Sequence, residues 1–220
     1  QELPDDRALT FYQRAGMDRA EFEKRKAERP FNFADCVAPL PPGYTRLIEG
    51  GTITMGGRIW DIRMGDGHAP EHATFWSRDD HLIIGGDQLL PSISPNLGVY
   101  PTEPDADPVS DWLRSCQHFQ DFAQDDHLVL PGHKLPFTGL PTRLRQVIEN
   151  HHGALGRLLD HLQVPQSAGE CFQPLFKRTI GSGEYGLALV EAVAHINHLY
   201  QAGQVTRHLR DDGAWAYQAA

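Results

Sequence analysis

The stretch GDGHAPEHATFWSRDDHLIIGGDQLLP, residues 65–91, constrains the fold more than any other part of the chain. It reads as a turn bearing His68 and His72, a short strand ATFWS, a polar turn RDD, and a second strand HLIIGG that delivers Asp87. Both strands are apolar and β-rich enough to be buried, and RDD between them suits a hairpin. Glycines beside a histidine let the backbone turn sharply, and a strand end fixes the direction of a carboxylate. Those are the places where a fold presents metal ligands. Downstream, LVLPGHKLPF predicts another apolar strand, ending in Pro131, Gly132 and His133.

The flanking chain builds outward from this stretch. TITMGG and RIWDIRMG predict two strands joined at Gly56–Gly57. Residues 5–29 predict a solvated helical stretch, with Asp18 and Glu21 in a capping-box-like arrangement and Pro30 as its end. After Asp87 comes a long segment, QLLPSISPNLGVYPTEPDADP, with little periodicity. Ser92, Ser94, Asn96 and Tyr100 there line a substrate pocket or simply make turns. VSDWLRSCQHFQDFA predicts an amphipathic helix with Trp112, Leu113, Cys116 and Phe119 inward. From Thr142 the texture turns helical, in the segments RLRQVIENHHGALGRLLDHL, ECFQPLFKRTI and GLALVEAVAHINHLYQAG. A hairpin around Asp212–Gly213 closes the chain. His151 and His152 are expected on the helix surface, and His195 and His198 in packing or capping roles.

Composition removes several classes. The 220 residues carry a net charge of -9 and a pI near 5.7, which argues against a broad grip on nucleic acid. Three helices and a hairpin are the layout of a winged-helix module. From Thr142 onward, however, seven basic residues face seven acidic ones, poor equipment for phosphate contacts. No apolar run is long enough to cross a membrane. Cys36, Cys116 and Cys171 form no C-x-x-C pair, so a reducing cytoplasm is expected.

GHAPEH, GGDQLLP and LPGHKLPF, in that order, resemble the later metal-binding motifs of the metallo-β-lactamase superfamily. The resemblance runs from about Thr45 to Gly139. The helical tail is similar to the winged-helix appendage of one branch, which includes β-lactamase-like hydrolases and an endoribonuclease. The resemblance implies an α/β fold: the C-terminal part of an αββα sandwich over residues 1–140, then a winged-helix-like domain over 141–220. It implies two Zn²⁺ ions, with His68 a ligand of one, His133 of the other, and Asp87 bridging both as the catalytic carboxylate. His72 and Glu71 would support the ligands or line the pocket.

The superfamily's principal signature, H-x-H-x-D-H, lies before these motifs in its members. Here no residue before His68 is histidine. The expectation is therefore a chain lacking the first half of the sandwich, with metal partial or absent and hydrolysis lost. The parent protein is expected to hydrolyse a small ester, thioester or lactone. Two other readings stand beside it. One is a metal-dependent endoribonuclease or phosphodiesterase with a basic path at Arg143, Arg145, Lys177 and Arg178. The other is a non-catalytic fragment that forms a homodimer through its exposed sheet face.

Overall fold

Three strands of one sheet point their C-terminal ends at a single edge, and that edge carries the motifs. The structure, a computed structural model, describes residues 5–30 and 32–220. Two helices, α1 (Asp6–Arg14) and α2 (Arg19–Ala27), stand where one helical stretch was expected. The break is local chemistry. Gly16 takes φ 71° and closes α1, and the Asp18 carboxylate opens α2 by accepting from the N–H groups of Ala20 and Glu21.

The sheet follows. Strands β1 (Thr52–Met55), β2 (Arg58–Gly65), β3 (His72–Ser77) and β4 (Leu82–Gly86) form an antiparallel meander. Helix α3 (Pro108–Gln120) then crosses over to β5 (Leu128–Pro131), which pairs parallel to β4 at the sheet edge. With β2 antiparallel to β3 and β3 antiparallel to β4, strands β2, β4 and β5 all run the same way.

Residues paired across neighbouring strands share a face. Trp76, Ile83 and Val129 align on the face that meets α3, where Trp76 stacks on Phe119 with ring centroids 6.0 Å apart. The Arg63 guanidinium covers Phe122 on the same side, 3.3 Å from its centroid. On the opposite face Ile62, Phe75, Ile84 and Leu130 lie in register, and all but Ile62 remain half-exposed.

The tail consists of α4 (Leu140–His161), the short α5 (Phe172–Phe176), α6 (Tyr185–Gln201) and the hairpin β6 (Val205–Leu209) to β7 (Trp215–Ala219). The second helix is shorter than the sequence suggested, because Lys177 enters the left-handed region at φ 54° and caps it. Helix α6 is buried on most sides through Leu189, Val190, Ala192, Val193, Ala194, Ile196 and Leu199, so it is the central strut of the tail. Helix α1 docks on the hairpin, with Gln13 donating to the Asp212 carbonyl at 3.1 Å and Arg14 to the Gly213 carbonyl at 2.8 Å. No helix among the described residues is long and apolar enough to cross a membrane. Burial pushes the Cys116 and Cys171 thiols up to about 12, so both are packing residues rather than nucleophiles.

The aperiodic segment after Asp87 is packed rather than loose. Leu89, Leu90, Leu97 and Val99 enter the core, and the Val99 N–H donates to the Val190 carbonyl at 3.1 Å. Arg143 on α4 ties the same segment down, donating to the carbonyls of Leu90 at 2.7 Å and Ile93 at 2.9 Å. Arg143→Met keeps the stem and removes both charge-assisted bonds, so a loss of about 2–3 kcal/mol in urea unfolding is expected. A midpoint unchanged from wild type would show the segment is held by its apolar residues alone.

Candidate metal centre

His68, Asp87 and His133 follow the C-terminal ends of β2, β4 and β5, at the same edge of the sheet. The GDGHAPEH turn is fixed at both ends. The Asp66 N–H donates to Ser115 Oγ of α3 at 2.8 Å, and Asp66 Oδ1 accepts from the Glu71 N–H at 2.8 Å. Glu71 takes φ 50° and turns its carboxylate outward to Arg46. His72 opens β3 and lies against the Gly86 backbone, where a Cβ would come within 2.5 Å of its Nε2. Asp87 leans on Gly132, whose N–H donates to the Gly86 carbonyl at 2.8 Å; a Cβ on Gly132 would collide with Asp87 Oδ1.

The side chains converge on the carboxylate from two sides. His68 Nε2 lies 3.5 Å from Asp87 Oδ2, and His133 Nε2 lies 3.5 Å from Asp87 Oδ1. His68 Nδ1 sits 2.9 Å from the Asn96 carbonyl oxygen. A carbonyl only accepts, so in its neutral form the ring carries its proton on Nδ1 and turns the Nε2 lone pair toward Asp87. Two acceptors that face each other repel unless a cation lies between them. A shared proton would draw them to roughly 2.7–2.9 Å. A tetrahedral ion with bonds of about 2.0–2.1 Å sets neighbouring ligand atoms about 3.3 Å apart, close to the observed spacing. Imidazole and carboxylate donors also suit zinc in type.

The donor set fits a metal in kind and is sparse in number. Each Asp87 oxygen has one imidazole beside it, and among the described residues no group of three or more His, Cys, Asp or Glu is arranged to hold an ion. The two pairs share one carboxylate but do not close around one point. His72 is the nearest further imidazole, its ring centroid 6.2 Å from that of His68. Burial, and then the neighbouring His68, lower its pKa against the pull of Asp87, which keeps it neutral.

The remaining sequence candidates scatter. Ser92 is exposed. Ser94 sits at the mouth of a cavity of about 280 Å³ in the tail, shared with His151, Arg157, Glu191 and His195. Asn96 joins the centre through its backbone, while its side-chain amide reaches the Leu187 carbonyl at 3.1 Å and Glu191 Oε2 at 2.8 Å. Tyr100 is 50% exposed, and its hydroxyl pKa is raised by burial of the phenol and then by Tyr12 of α1.

His151 is a correction. It is buried, with its ring stacked on that of His195 at 5.7 Å. The signal was present: Leu144, Val147, His151, Leu155 and Leu158 form the inner stripe of α4. His195 packs as expected, its Nδ1 donating to the Glu191 carbonyl at 2.9 Å, and His198 caps α3 from outside through the Asp107 carboxylate at 3.1 Å. Glu191 lies in the same cluster, its Oε2 accepting from the Asn96 amide.

Known proteins share this arrangement of elements. A crystal structure of a β-lactamase domain protein from Burkholderia ambifaria is 35% identical, with a TM-score of 0.87, over 95% of this chain and 60% of that one. A metallo-β-lactamase family protein from Thermus thermophilus is 25% identical, with a TM-score of 0.72, over 97% of this chain and 64% of that one. The chain spans less than two thirds of the length of either. Residues 155–220 match the family described as metallo-beta-lactamase-like, C-terminal domain. No curated protein matches the chain.

The fold, the match over residues 155–220 and the solved relatives place this chain with metallo-β-lactamase family proteins. Among them, this chain carries the β-lactamase-like C-terminal domain and is partial relative to its solved relatives.

Proposed function

We propose that this chain supplies the later ligands of a binuclear zinc site in a hydrolase of small esters, thioesters or lactones. The reading rests on one observation: His68 Nε2 and His133 Nε2 each lie 3.5 Å from opposite oxygens of Asp87, while His68 Nδ1 is taken up by the Asn96 carbonyl. His68, His133 and the Asp87 carboxylate between them would hold the metal. Zinc bound there supplies a hydroxide at neutral pH and a Lewis acid for the developing oxyanion. His72, neutral and pressed on Gly86, stabilises the turn of the strand that presents Asp87.

With two protein donors per position, the 220-residue chain by itself is expected to retain zinc weakly and to hydrolyse nothing detectably. Equilibrium dialysis against Zn²⁺ and a panel of ester, thioester and lactone substrates test this. Robust, chelator-sensitive turnover by the chain alone contradicts the inactivity, and chelator-insensitive turnover contradicts the metal. The endoribonuclease reading loses ground on the basic path it requires. Arg143 is engaged with two carbonyls, and Arg178 is paired with Glu184 at 2.6 Å. Retention of single-stranded RNA in a low-salt gel shift would revive it. Self-association through the face of Phe75, Ile84 and Leu130 is the non-catalytic alternative, read directly as a dimer mass in light scattering.

A further inference from the structure

We infer that Glu191 on α6 is a positioning residue for His68, acting through Asn96, so that the helical tail sets the direction of a ligand on the sheet edge. The inference rests on the proposed metal-binding role of His68, although its first readout needs no metal.

The contacts form one continuous line. His68 Nδ1 donates to the Asn96 carbonyl at 2.9 Å, and the Asn96 amide donates to Glu191 Oε2 at 2.8 Å and to the Leu187 carbonyl at 3.1 Å. Asn96 therefore faces the sheet with its backbone and α6 with its side chain. Its peptide plane decides where the carbonyl points, and that carbonyl decides the tautomer and aim of the imidazole. A loop residue keeps such an orientation only if something rigid holds its other end. Glu191 qualifies. It is flanked by Val190, Ala192 and Val193, all buried, on the central helix of the tail. Burial pushes its carboxyl up to about 7, against the lowering effect of the Asn96 bond, and the carboxylate lines the tail cavity that Arg157 and His195 share.

Asn96 Oδ1 is buried without a hydrogen-bond partner. An amide free to flip would turn that oxygen toward the Leu187 carbonyl, acceptor against acceptor. A partner that accepts from Nδ2 holds the amide one way round. With Glu191 and Leu187 both accepting, the observed orientation is the one that satisfies both. The tail is thereby given a role beyond packing: it fixes which nitrogen of His68 is free.

The experiment uses the 220-residue chain with ¹⁵N-labelled histidine, the His68 resonances being identified with a His68→Gln variant. Wild type is expected to show the Nδ1–H tautomer of His68 with a slowly exchanging proton. Glu191→Gln keeps an oxygen that accepts from Asn96 and should preserve that signature. Glu191→Leu and Asn96→Ala should each mix the tautomers and speed exchange of the Nδ1 proton about tenfold. In the same samples Zn²⁺ affinity should fall about tenfold for Leu and Ala but not for Gln. Thermal melts separate this from unfolding, and Asn96→Ala, at a half-buried position outside the helices, covers the case in which Glu191→Leu does not fold. A locked Nδ1–H tautomer in folded Glu191→Leu and Asn96→Ala overturns the inference. Zinc binding absent from wild type, with the tautomer pattern as expected, instead removes the metal role and leaves the relay standing.

Discussion

Lowering the pH from 8 to 4 is expected to unfold the tail, with most of the stability lost below pH 6.5. The cause is the pair His151 and His195. Burial first, and then the neighbouring His195, push His151 down to about 3; burial likewise brings His195 down to about 4. Both are depressed bases, so the unfolded chain binds protons near pH 6.5 that the fold refuses. Their contribution is complete above the unfolded value and is lost as pH falls through 6.5 toward the folded ones. Each unit of depression corresponds to about 1.4 kcal/mol, and the two together amount to roughly 5 kcal/mol once mutual coupling is allowed for. That is comparable to the whole stability of an ordinary domain.

Glu191 works in the other direction. Its raised carboxyl pKa favours the fold below about pH 4.5, an advantage lost as pH rises toward 7, on the order of 2 kcal/mol. The histidine pair outweighs it. Asp107, with His198 and the Ser110 N–H lowering its pKa against burial, adds to the acid loss. Urea midpoints measured across the pH range read the sum. The control is His151→Leu. Its Nε2 has no partner, so an apolar replacement orphans nothing and should cost little at pH 8 while flattening the acid limb by about half. An acid limb of the same steepness in His151→Leu would place the proton uptake elsewhere.

The two halves of the chain differed in how much the sequence disclosed. The strands of the meander, β5 as a strand and the closing hairpin were legible because strand ends carry their own punctuation: Gly56–Gly57, RDD, Pro131–Gly132 and Asp212–Gly213. The helix of Trp112, Cys116 and Phe119 was legible from its period. Failures came where a polar residue sits on an apolar stripe. His151 occupies an inner position of α4, and sequence polarity assigned it to the surface because its burial depends on a second imidazole from α6. Glu191 and Asn96 meet across 95 residues of chain, a pairing that no local pattern encodes. The same distance explains Arg143: read as a basic side chain, it was assigned to an RNA path, but its partners are carbonyls 53 and 50 positions upstream. Among the metal candidates, motif order brought His68, Asp87 and His133 to one edge because three parallel strands end there. Ser92 and Tyr100 lie on a segment that turns toward the tail, through the Asn96–Glu191 and Val99–Val190 bonds.

Gly132→Ala is expected to damage metal binding almost as severely as Asp87→Ala. Gly132 looks like a spacer between Pro131 and His133, but its missing side chain is the space in which Asp87 rests. An added Cβ would strike Oδ1 and come within 3.1 Å of the Gly86 carbonyl carbon. The backbone cannot yield easily, since the Gly132 N–H is bonded to Gly86 across the parallel pair at 2.8 Å. The carboxylate must therefore rotate, and it carries both histidine alignments with it, since His68 and His133 face its two oxygens. His133→Ala, by contrast, removes one side only. Co²⁺ is the useful probe, because paramagnetic shifts of the His68 and His133 ring protons report binding even at millimolar affinity. Wild type should shift both rings; His133→Ala should retain the His68 shift; Gly132→Ala and Asp87→Ala should lose both, with apparent affinity down by about a hundredfold. Thermal stability should fall by no more than about 1–2 kcal/mol in Gly132→Ala, since the strain is confined to the strand end. Retention of both shifts at wild-type affinity in Gly132→Ala would mean that Asp87 does not need this resting place, and that the carboxylate is held by the ion rather than by the sheet edge.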